Sequence, residues 1–69
     1  MDRAALQKAD DLLQRVEESI ALQRRTIATL ERDGHDVKAA RMFLKRLEIQ
    51  RAKHAASRDQ LFTQLANGF

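Results

Sequence analysis

The sequence predicts an all-α protein: an antiparallel two-helix hairpin, coiled-coil-like, that dimerises into a four-helix bundle. Three observations carry this expectation. Apolar residues recur at alternating spacings of three and four on both sides of one interior glycine, Gly34. The chain has no proline and only two glycines, so nothing else interrupts a helix. Apolar residues also spill off the seam, and each large one left wet forgoes roughly 1.5–3 kcal/mol of burial.

The first helix is expected over about residues 3–33. Leu6, Ala9, Leu13, Val16, Ile20, Gln23, Ile27 and Leu30 follow the three-four alternation, and only Gln23 breaks its apolar character. Asp2 is suited to cap its start, and Asp11 with Arg15 stands at the i, i+4 spacing of an exposed ion pair. About 30 residues at 1.5 Å each make a rod roughly 45 Å long.

The turn is expected at about 34–36. Gly34 tolerates the left-handed conformation that ends a helix, and the Asp36 carboxylate accepts from the free amides that begin the next. His35 falls in this loop, near the negative end of the first helix. The second helix, about 37–67, repeats the pattern through Val37, Ala40, Leu44, Leu47, Arg51, His54, Arg58, Leu61 and Leu65. Its ends are apolar and its middle is polar. Asn67-Gly68 is a stop signal before Phe69.

Folding the two halves about Gly34 sets Leu30 near Ala40, Ile27 near Leu44 and Gln23 near Leu47. Ile20 then meets Gln50 and Arg51, Val16 meets His54, and Leu13 meets Ser57 and Arg58. At the open end Ala9 faces Leu61 and Leu6 faces Leu65. Glu17 and Asp10 stand within reach of His54, Arg51 or Arg58. Left off this seam are Leu12, Leu22, Met42, Phe43, Ile49, Ala52, Ala56, Phe62 and Ala66. Met42, Ile49 and Ala56 are spaced by seven and form a second stripe. A homodimer, two hairpins packed as a four-helix bundle, would hide these residues.

A chain of 69 residues makes one domain, 1–69, and one too small to bury much apolar surface by itself. Such chains add disulfides, a metal or a partner subunit. No cysteine is present, which removes disulfides and thiolate metal sites, and two histidines are too few for an ordinary zinc site. Oligomerisation remains. No apolar window approaches the length of a membrane span or a signal peptide, so the expected location is the cytoplasm, away from membranes.

The net charge of +3 is unevenly placed. Residues up to Asp33 hold six Lys/Arg against seven Asp/Glu, and those from Gly34 onward seven against three. The plainest use of this asymmetry is attraction between the two helices. The alternative is a small nucleic-acid-associated regulator that uses the basic second helix. Arg41, Lys45, Arg46, Arg51, Lys53 and Arg58 would be its phosphate contacts, but they spread round the helix and no Tyr or Trp stands among them.

His54, with Arg51, Arg58 and Glu17, forms the candidate polar site. It reads either as a seam histidine hydrogen-bonded to Glu17 or to a dimer mate, or as a pH- or anion-responsive element. Catalysis is not expected. There is no phosphate loop, nucleophile elbow or cysteine, and Asp10-Asp11 and Glu17-Glu18 point about 100° apart on a helix. The sequence therefore implies no catalytic residues, no metal and no cofactor.

The run Gln23-Arg24-Arg25-Thr26-Ile27-Ala28-Thr29-Leu30-Glu31-Arg32-Asp33-Gly34-His35-Asp36 carries a resemblance. With Ala40, Leu44, Leu47-Glu48, Gln50, His54 and Arg58-Asp59-Gln60-Leu61, it resembles a group of short helical-hairpin proteins of rhizobia and related alphaproteobacteria. Their shared pattern is QRxxIxxLExDGHD followed by HxxxRDxL. The resemblance implies a bacterial, cytoplasmic helical hairpin and brings no activity with it. The expected function is a non-enzymatic protein–protein interaction module, self-associating and open to a larger protein partner.

Overall fold

The reversal of the chain is made by backbone chemistry at Gly34. In the computed structural model, which describes residues 3–67, α1 spans Arg3–Arg32 and α2 spans Lys38–Asn67. Gly34 has φ 79°, a conformation in which any Cβ crowds the following carbonyl. Its amide donates to the Glu31 carbonyl at 3.1 Å, and the His35 amide donates to the Leu30 carbonyl at 2.9 Å. Together these are the two bonds of a Schellman turn, which satisfies carbonyls that the end of α1 would leave free. Asp36 then caps α2: its Oδ1 accepts from the Lys38 amide at 3.0 Å. Asp2, named above as a cap, and Gly68, the second residue of the Asn67-Gly68 stop signal, lie outside the described residues.

Nothing lies within 4 Å of a Cβ built at Gly34, so a substitution there meets backbone strain alone. Gly34→Ala is expected to cost about 1 kcal/mol. For a chain of this size that lowers the melting temperature by roughly 4–8 °C, readable by circular dichroism. An unchanged melt would show that the turn does not need the left-handed residue.

The two helices meet along the expected seam. Leu13, Ile20, Ile27, Val37 and Leu47 are buried, with Ile20 the deepest at 5% exposure. Leu6, Ala9, Val16, Leu30, Ala40, Leu44, Leu61 and Leu65 are half-buried along the same line. Burial is uneven in one respect. Among the described residues, four of the five buried ones lie in the half nearer the turn, and Leu13 alone lies further out. The hairpin measures 56 × 15 × 11 Å.

Two seam residues depart from expectation. Gln23 does not simply pack on Leu47. Its Nε2 donates across the hairpin to the Ala40 carbonyl oxygen at 3.0 Å. A carbonyl has two lone pairs, so this bond needs no break in α2 and satisfies the one amide in the α1 stripe. Arg51 is exposed rather than packed in the seam, because its counter-charge stands on the exposed side and an unpaired guanidinium in the seam would be too costly to desolvate. It turns outward to Glu17. Asp11 likewise accepts from Gln7 Nε2 at 3.0 Å rather than pairing with Arg15. Among the described residues there is no strand, and no helix is long and apolar enough to cross a membrane.

Candidate functional site

What distinguishes this hairpin is the difference between its two broad faces. On α1 the residues just after Ala9, Val16, Gln23 and Leu30 are Asp10, Glu17, Arg24 and Glu31. Those just before Leu6, Leu13, Ile20 and Ile27 are Ala5, Leu12, Ser19 and Thr26. Spacing by seven keeps each row on one stripe, and the rows border the seam on opposite sides. In an antiparallel pair like rows meet. The first meets Arg41, Glu48, Ala55 and Phe62 of α2, and the second meets Phe43, Gln50, Ser57 and Gln64.

The first face is laced with charge. Glu31 pairs with Arg41 at 2.9 Å, Arg24 with Glu48 at 3.5 Å, Glu17 with Arg51 at 3.6 Å and Asp10 with Arg58 at 3.7 Å. All eight side chains are at least 40% exposed, so each pair contributes about 0–1 kcal/mol and mainly holds the register. Arg58 also donates through Nε and Nη2 to Asp59 Oδ1, at 3.2 and 2.8 Å. That hydrogen bond, with the charge of the same carboxylate, holds its guanidinium above the ordinary value. At the open end this face carries a shallow groove of about 560 Å³ along Arg3, Leu6, Gln7, Asp10, Phe62, Leu65 and Ala66.

The second face carries no charged side chain along either helical row. Ala5 is half-buried, Leu12 is 39% exposed and Phe43 51%. The Ser19 hydroxyl donates to the Arg15 carbonyl and the Thr26 hydroxyl to the Leu22 carbonyl, each at 3.0 Å. Both donors are thus already satisfied within α1.

The candidate polar site is therefore split. Arg51 and Arg58 turn toward the charged face with Glu17 and Asp10. His54 is half-buried and stands on the uncharged side, between Gln50 and Ser57 at helical spacing. The expected hydrogen bond from His54 to Glu17 is replaced by the Glu17–Arg51 pair, where two full charges meet. The basic strip is split as well. Arg41, Arg51 and Arg58 are neutralised by carboxylates, whereas Lys45, Arg46 and Lys53 lie round the outer side of α2. Among the described residues, no three His, Asp or Glu side chains gather as a metal site would need.

The sequence alone already marked Leu12 and Phe43 as off the seam. The uncharged partners that make their surroundings a face, Ala5, Ser19, Thr26, Gln50, Ser57 and Gln64, emerge only when the rows beside the seam are read separately. No family model, curated protein or solved structure matches this chain.

Proposed function

We propose that the protein is a non-enzymatic interaction module that works as a homodimer, two hairpins packed through their uncharged faces into a four-helix bundle. The observation that carries this reading is the row Ala5, Leu12, Ser19, Thr26 set beside Phe43, Gln50, Ser57 and Gln64. Apposing that face to a second copy brings no charged side chain of either row into the contact and leaves the ion-paired face in water. Satisfied hydroxyls at Ser19 and Thr26 remove much of the cost of drying it.

Size supports the same conclusion. The hairpin exposes 5556 Å². A compact monomer of its 7.9 kDa would expose about 4,400 Å². A broad face of 56 × 15 Å offers about 800 Å², the share each partner contributes to an interface of standard size. His54 would lie at the edge of this interface.

Sedimentation equilibrium tests the proposal through Ser19→Lys. Ser19 is exposed in the hairpin, so the substitution leaves the fold intact and puts two like charges into the dimer. The expected result is a dimeric wild type at micromolar concentration and a helical, monomeric variant. Arg24→Gln, on the charged face, should remain dimeric. A wild type that stays a folded monomer at high micromolar concentration would refute the assembly.

A further inference from the structure

A dimer closed through the uncharged faces leaves one apolar stripe outside: Met42, Ile49 and Ala56, on the side of α2 turned away from α1. Met42 stands two residues from Ala40 and two from Leu44, which places it about 160–200° round the helix from both seam residues. Met42 is 55% exposed and Ile49 50%. Around them stand Lys38, Lys45, Arg46 and Lys53, each three or four residues from one or both. Among the described residues none of these four cations has a carboxylate within ion-pair distance. Arg41, Arg51 and Arg58 of the same helix are all paired.

We propose that this face docks an acidic amphipathic helix of a different protein, its apolar stripe on Met42 and Ile49 and its carboxylates on the surrounding cations. Charge decides who the partner is. A second copy of α2 would bring four cations against four, and the outer face of α1 sets Arg15, Arg25 and Arg32 beside its Asp11 and Glu18. Neither surface of this chain supplies the complement. Shape decides that the partner is a helix: a straight stripe repeating every seven residues over about 20 Å matches the anchor spacing of a helix laid alongside. Nucleic acid would find the cations but leave Met42 and Ile49 wet at the centre of its footprint. A bilayer would find only two large apolar side chains and no Trp.

The test is a fluorescence-anisotropy titration of the full chain against a labelled designed helix of about 20 residues, with leucines at three-four spacing and glutamates on both flanks. Binding is expected in low salt and should weaken with added salt. Ile49→Asp, and separately Lys38→Glu with Lys45→Glu, should weaken it about tenfold or more, the loss of an anchor at the centre of a contact. The same variants should sediment as the wild type does, because these residues lie outside the proposed dimer face, so failure here is distinct from failure of the dimer. No binding, equal binding by Ile49→Asp, or tighter retention of a DNA duplex or of phosphatidylserine vesicles than of the peptide would overturn the proposal.

Discussion

Leu13→Asp leaves the chain largely unfolded at neutral pH. Leu13 is 8% exposed and, among the described residues, is the only buried one in the outer half of the seam. The substitution removes an apolar side chain worth roughly 1.5–3 kcal/mol and sets in its place a carboxylate whose desolvation costs several more. A chain of this length has about 3–10 kcal/mol of stability to lose. Far-UV circular dichroism should show most helix gone, with part of it returning on acidification. The sign follows from linkage: a buried carboxyl takes up its proton more readily folded than unfolded, so the folded form gains as pH falls toward about 4. A fully helical variant at neutral pH would mean that the seam is not the core.

Ile20→Ala and Ile49→Ala make the same chemical change with opposite expected results. Ile20 is 5% exposed between the helices, and truncating it should cost about 2–5 kcal/mol through lost burial and a residual cavity. Ile49 is 50% exposed on the outer side of α2, and its loss should stay within about 0.5 kcal/mol. Urea titrations of the two variants measure both. Comparable midpoints would mean that the helices pack in another register or that the outer face is covered in the free protein.

Most of the fold was legible because its determinants are local. Gly34 and Asp36 act on their own backbone neighbourhood, and the three-four spacing places Leu13, Ile20, Ile27 and Leu47 on the seam without knowledge of the partner. Helix ends differ from expectation by one residue, within the fraying of any helix terminus. The polar centre was less legible, because spacing gives reach but not choice. Glu17 stands within range of both His54 and Arg51, and the outcome depends on which side of the seam each side chain leaves it. Gln23 was hidden for a related reason: its partner is a main-chain carbonyl, which carries no sequence signal. The contrast between the two broad faces is written in the sequence, one residue to either side of the seam, but has meaning only once the helices are antiparallel and like rows meet.

The gathering of Ile20, Ile27, Val37 and Leu47 toward the bend makes the molecule a zipper with one sealed end. Contacts across the bend join residues close in sequence and close first, since a short loop loses little entropy on closure. At the open end Leu6, Leu61 and Leu65 are only half-buried, so amides there are expected to exchange with solvent well before those of Ile27 or Leu47, a difference hydrogen exchange would read.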